Sequence, residues 1–142
     1  MISFDTNIAV HAANSASSLH GPAVEFLQSI STRRDVAVCE LVLVELYLKL
    51  RNEKIFPNPL SAAQAAALCQ TYRKNQAWLL IDSAPVMDEV WEQARHRGFA
   101  FRRIIDARLG LTLQKHGVTE FATTNEKDFS NMGFLRVWNP LK

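Results

Sequence analysis

Four acidic side chains sit where an ordinary globular sequence has little need of them. Asp5 ends the apolar opening MISFDTNIAV and is followed at once by Thr6 and Asn7. Glu45 interrupts LVLVELYLKL, the most apolar stretch of the chain, where a charge is expensive to bury unless something pairs with it. Asp106 stands in RRIIDARLGL and Asp128 in TTNEKDF. Carboxylates held together repel one another and resist ionisation unless a cation shares the site. Oxygen ligands with no accompanying cysteine or histidine cluster select a hard ion such as Mg²⁺ or Mn²⁺. One or two such ions can activate water and stabilise the leaving oxygen in phosphodiester hydrolysis.

Each carboxylate also has an ordinary structural use. Asp5 fits an Asx-turn or the cap of the helix after it. Glu45 can pair with Lys49 one turn on, worth a few tenths of a kcal/mol. Asp106 lies where a helix dipole favours a negative charge by roughly 0.3–1 kcal/mol, and Asp128 suits a solvated loop. Glu40, just after a strand, is a further acid for which a helix start is the simpler role. The functional reading rests on whether the chain can bring these residues to one place.

The elements that would position them alternate. Met1–Phe4, VAVC, WLLID, EFATT and FLRVW read as strands. NIAVHAA starts a short helix, and HGPAVEFLQSI a second with Val24, Leu27 and Ile30 on one face. ELVLVELYLKL is apolar almost all round and is expected to be largely buried. Ser61 caps an alanine-rich helix after the proline-bearing connector EKIFPNPL. APVMDEVWEQARHR and RRIIDARLGLTLQKHG are the last long helices, the second closed by Gly117. Strands alternating with helices predict an α/β fold with a parallel sheet covered on both faces. The working crevice of such a sheet lies beyond the carboxyl ends of its strands, which is where Asp5 would be.

Composition narrows the classes. The 142 residues are 48% hydrophobic and 21% charged, as in a globular chain, and are read as one domain over 1–142. No segment is apolar and long enough to span a bilayer, and no signal-like run opens the chain, so the expected location is the cytoplasm. Cys39 and Cys69 are read as small core residues, and the four histidines lack metal-ligand spacing. No nucleophile elbow or phosphate-loop pattern is present. A formal charge of +2 permits an acidic partner without demanding one.

RHRGFAFRRIID interleaves Arg95, Arg97, Arg102 and Arg103 with Phe99 and Phe101 just before Asp106. Guanidinium groups pair with phosphates and aromatic rings stack on unpaired bases, so Arg97, Arg102 and Arg103 are the candidate RNA-binding residues. A solvated loop carrying two core phenylalanines reads equally well.

In order, FDTN at Asp5–Asn7, VLVELY around Glu45, IIDARLGLTLQKHGV around Asp106 and ATTNEKDF near the end resemble the motifs of the PIN-domain nucleases. The size and the WNPLK ending are similar to the VapC-type toxins of bacterial toxin–antitoxin pairs. The resemblance covers essentially the whole chain. It implies a three-layer α/β/α fold around a parallel sheet and a Mg²⁺- or Mn²⁺-dependent endoribonuclease, silenced by a cognate antitoxin and expected as a homodimer. Asp5, Glu45 and Asp106 match the first three acidic positions, with Asp5 and Asp106 as principal metal ligands and Glu45 completing the shell directly or through water. The resemblance gives Asn7 a hydrogen bond to the Asp5 carboxylate or to a bound water, and Thr124 a part in orienting the site. At the fourth acidic position the chain departs from the fullest pattern: Asn125 falls nearest, and Asp128 is the closest carboxylate. That departure keeps open a catalytically silent binding module, beside the alternative of a housekeeping RNA-processing nuclease.

Overall fold

The computed structural model describes residues 1–142. Five short strands, β1 (Ile2–Phe4), β2 (Ala37–Cys39), β3 (Leu79–Ile81), β4 (Glu120–Ala122) and β5 (Arg136–Trp138), alternate with helices. The helices are α1 (Thr6–Ala13), α2 (His20–Ile30), α3 (Glu40–Leu50), α4 (Ala62–Arg73), α5 (Met87–Ala94), α6 (Arg103–Lys115) and the single turn α7 (Glu126–Phe129). All strand pairings are parallel: β1 with β4, β4 with β5, and β2 with β3. A bridge between Ile2 and Val36 joins the two ladders, which gives the lateral order β3-β2-β1-β4-β5.

That order carries the functional consequence. The chain steps outward from β1 to β3 on one side, then returns past β1 to lay down β4 and β5 on the other. The loops leaving β1 and β4 therefore diverge, and a crevice opens between them at the carboxyl edge. Right-handed crossovers put α1–α4 on one face and α5–α7 on the other. The observed packing agrees, with α1 against α2 and α3, α3 against α4, α5 against α6, and α6 against α7. This is the expected three-layer α/β/α arrangement around a parallel sheet.

Burial follows from the layering. Every residue of β1 and β2 is buried, as strands covered on both faces must be. Phe4 meets Trp78 edge-on on one side of the sheet, and Phe121 stacks on Phe134 and packs against Phe129 on the other. Local signals end the helices as expected. Ser61 and Gln64 form a reciprocal capping box at the start of α4, and Gly117 leaves α6 at φ +84°, a conformation open to glycine without steric cost. Cys39 is buried and Cys69 half-buried, and both are free thiols.

One expectation fails in α3. The helix buries Val42, Leu43, Leu46 and Leu50, but Val44 and Leu48 remain 57% and 62% exposed. The sheet and the neighbouring helices cover one side only, so an all-round apolar sequence leaves an apolar stripe facing outward. Leu46, with no exposed surface, should lose about 2–5 kcal/mol of stability on truncation to alanine, whereas Leu48→Ala should stay within about 0.5 kcal/mol. Urea titration of the two variants measures this, and equal losses would mean that α3 is buried on both sides.

Candidate active site

Asp5 leaves β1 at the crevice with only 7% of its surface exposed. One carboxylate oxygen accepts the backbone N–H of Thr6 at 2.8 Å and so caps α1; the other accepts the Thr123 hydroxyl at 2.9 Å. The strand register explains the second contact. Phe4 pairs with Ala122, and the Asp5 N–H donates to the Ala122 carbonyl at 2.9 Å, so the next residues on β1 and β4 become neighbours. Thr123 also accepts the Asn125 N–H at 3.0 Å, which ties the Asp5 carboxylate to the turn after β4. A carboxylate offers about four lone-pair positions, and these bonds leave some of them free. Burial pushes the Asp5 carboxyl above its usual range, against the opposing pull of the Thr123 and Thr6 hydrogen bonds, with Glu45 adding to the rise and Lys49 reducing it.

Asp106 occupies the first turn of α6 and reaches the same cavity from the opposite face of the sheet. Burial, then the carboxylates of Asp5, Asp128 and Glu45, push it up to about 6, with Arg103 acting against them. Glu45 enters from α3, half-buried, and accepts the Thr6 hydroxyl at 2.8 Å. A cavity of about 360 Å³ is lined by these three acids together with Asn7, Lys49, Arg102 and Asn125, and Leu48 and Ile105 form its apolar edge. Residues 5, 45 and 106 are thus brought together.

Several sequence expectations need correction. Thr124 does not touch Asp5; it faces the neighbouring groove with Glu126 and Asp128, because strand alternation turns Thr123 inward and the next side chain away. Asn7 does not bond the Asp5 carboxylate either. Its side-chain oxygen accepts from Lys49 at 2.7 Å, and Lys49 is therefore not the partner of Glu45. Asp128 is exposed and lines the adjacent groove beside Asn125 rather than the acidic cavity itself, although its charge is felt at Asp106. Glu40 starts α3 and pairs with Arg73 of α4, away from the cavity.

The three arginines also part company. Arg97 is exposed on the loop before α6. Arg102 lines the acidic cavity and lies over the Phe101 ring at 5.5 Å. Arg103 turns the other way and donates to the Asp128 carbonyl at 2.6 Å. Thr6, Thr123 and Lys49 went unread in the sequence as site residues. Register and side-chain direction reveal them, and only Thr6, adjacent to Asp5, carried a local hint.

The donor set suits a hard divalent cation. Every acidic ligand is an oxygen, and the proton-holding tendency of Asp106 comes from burial and neighbouring negative charge, which a cation relieves. No three Asp, Glu, His or Cys side chains cluster closely enough to enclose an ion by themselves. A hard divalent ion would be held there through one or two carboxylates and would keep part of its water.

Comparisons with known proteins bear on the fold and the family. A family model for the PIN domain matches residues 2–135. The chain is 51% identical over 141 residues to ribonuclease VapC24 of Mycobacterium tuberculosis, covering 99% of this chain and 97% of that one. The fold is similar to the crystal structure of M. tuberculosis VapC20, a sarcin–ricin loop cleaving toxin, with a TM-score of 0.69, 20% identity, and 95% and 97% of the two chains covered. It is also similar to FitAcB from Neisseria gonorrhoeae, with a TM-score of 0.63, 21% identity, and 99% and 98% covered.

The crowding of carboxylates has a measurable cost. Unfolded, Asp106 titrates near 3.8; folded, near 6. The folded chain holds this proton more tightly, so the stability of the metal-free protein falls as pH rises from about 4 to 6 and stays lower above that. After allowance for solvent screening of this half-exposed group, Asp106→Asn should add about 1 kcal/mol at pH 7.5 without divalent ions, a rise in Tm of about 2–5 °C. The gain should vanish at pH 4. Thermal melts at the two pH values measure it, and a lower Tm for the variant at pH 7.5 would show that the carboxylates do not oppose one another.

Proposed function

Since the chain belongs to the PIN-domain family, we propose that it is a metal-dependent endoribonuclease of the VapC type, the toxin of a toxin–antitoxin pair. The observation that carries this reading is the convergence of Asp5, Glu45 and Asp106 on one cavity at the β1/β4 switch point. The 51% identity to ribonuclease VapC24 supports the activity, and the VapC20 toxin supports the fold on which it is built.

In this reading residues 1–142 act as one domain. Asp5 and Asp106 hold Mg²⁺ or Mn²⁺, and Glu45 completes the shell directly or through water. When bound, the cation supplies Lewis-acid chemistry, lowering the pKa of water and offsetting charge that develops on the phosphate. The chain does the rest. Thr123 and the Thr6 N–H fix the Asp5 carboxylate in one orientation, and the Thr6 hydroxyl does the same for Glu45. Lys49, held by Asn7, and Arg102 place positive charge on the cavity wall, where a phosphodiester can be held. Asp128 and Asn125 flank this arrangement from the turn after β4, and Arg97 adds charge for RNA outside the cavity.

A cognate antitoxin and a second copy of the chain are the proposed protein partners. The outward apolar side chains Val44 and Leu48 of α3, with Phe101 and Ile105 beside the cavity, support a protein surface there. No helix is long and apolar enough to cross a membrane, and action in the cytoplasm is part of the proposal.

Cleavage of a mixed RNA pool by antitoxin-free protein tests the mechanism. Cutting should require Mg²⁺ or Mn²⁺, stop in EDTA, and fall at least about a hundredfold in Asp5→Asn and in Asp106→Asn. At limiting Mg²⁺ it should also weaken as pH drops through about 6, where the metal-free Asp106 takes up a proton that competes with the ion, and excess Mg²⁺ should restore it. Undiminished cutting by either folded variant would overturn the metal site. RNA binding without cutting by the wild type would favour the silent module that Asn125 keeps open.

A further inference from the structure

Two neighbouring residues at the start of α1 take opposite partners on α3. The Thr6 hydroxyl donates to the Glu45 carboxylate at 2.8 Å, and the Asn7 side-chain oxygen accepts from Lys49 Nζ at 2.7 Å. Chemistry fixes the polarity, since an ammonium only donates and a carboxylate only accepts. Glu45 and Lys49 lie one turn apart on the same helix with the acid towards its N-terminus, the order in which such a pair attracts best. In α3 that pair is not made. None of the ion pairs of the molecule includes Lys49, although it is half-buried and lines the cavity with Asp5, Glu45 and Asp106.

A neutral amide thus holds the lysine that an isolated helix would give to Glu45, and this has two effects. Glu45 keeps its full charge for the cavity, where an ammonium in contact with it would offset that charge and repel an incoming cation. The ammonium, for its part, makes only the bond to Asn7. Two of its three donors stay uncommitted, and these suit a phosphate oxygen, a charged acceptor that makes stronger bonds than a neutral one. The side chains of α1 that face α3 therefore sort acid from base: a hydroxyl for Glu45, an amide oxygen for Lys49.

We propose that Asn7 is a positioning residue that holds Lys49 clear of the three carboxylates, so that the seat for the cation stays open and the ammonium is kept for a phosphate of the RNA. This rests on the ribonuclease reading for its cation and its substrate, and it gives Asn7 a role other than touching Asp5 or a bound water.

Calorimetric titration of Mn²⁺ into the full chain, without RNA, tests it with four proteins: wild type, Asn7→Ala, Lys49→Met and the double variant. With the acceptor gone, Lys49 turns to Glu45, and Asn7→Ala should bind Mn²⁺ about tenfold more weakly. Lys49→Met has no ammonium to hold away and should bind at least as tightly as the wild type, and the double variant should match it. An asparagine that touched the water of the ion, or one that only braced α1, would weaken binding in both backgrounds. Steady-state cleavage reads the lysine itself: Lys49→Met should raise KM for RNA about tenfold with its Mn²⁺ affinity undiminished. Equal affinity in wild type and Asn7→Ala, a loss that Lys49→Met does not restore, weaker binding by Lys49→Met alone or an unchanged KM would each overturn the proposal. Absence of Mn²⁺ binding by the wild type would overturn the metal-dependent reading and this proposal with it. Mn²⁺ binding without RNA cutting would overturn only the ribonuclease reading, and the affinity pattern would still decide the role of Asn7.

Discussion

The structure depends on a carboxylate kept where water scarcely reaches. Asp5 ends a buried strand, and taking an ionised group out of water costs several kcal/mol. Each hydrogen bond to a charged acceptor returns about 1.5–3 kcal/mol, and Asp5 has two, from Thr6 and Thr123. These do not offset burial fully, since its carboxyl still lies above the usual range. Asp106 and Glu45, drawn to the same cavity from opposite faces of the sheet, make the imbalance worse. The fold thus holds an electrostatic deficit at the carboxyl edge, and a divalent cation is the chemical species that best removes it.

Topology keeps that deficit in place. Because the strand order reverses at β1 and β4, two loops separate there, and residues 118 positions apart meet as Asp5 and Thr123. The same hydroxyl receives the Asn125 N–H, so the turn after β4 is oriented by the carboxylate it helps to hold. Arg103 extends the linkage by gripping the Asp128 carbonyl. Sheet, turn and the first turn of α6 are consequently coupled around one charge. The arginines divide along α6 for the same geometric reason: successive residues on a helix point about a third of a turn apart, which sends Arg102 into the acidic cavity and Arg103 away from it.

What the sequence by itself determined was the set of elements and the acidic residues among them. Apolar runs of strand length, the Ser61 cap and the Gly117 stop are local signals, set by steric preference and hydrogen bonding within a few residues, and the structure has each of them where it was expected. The alternation of strand and helix was enough for a parallel sheet, and the order of FDTN, VELY and IIDA enough for the family resemblance. Tertiary structure alone decided which neighbours those acids have. Thr123 rather than Thr124 faces Asp5 because the Phe4–Ala122 register says so. Lys49 turns to Asn7 rather than Glu45 because α1 packs beside α3, and Val44 and Leu48 stay exposed because no layer covers that side of α3. Local periodicity specifies which face a side chain is on; pairing across distant segments specifies what it meets there, and that depends on how the layers close.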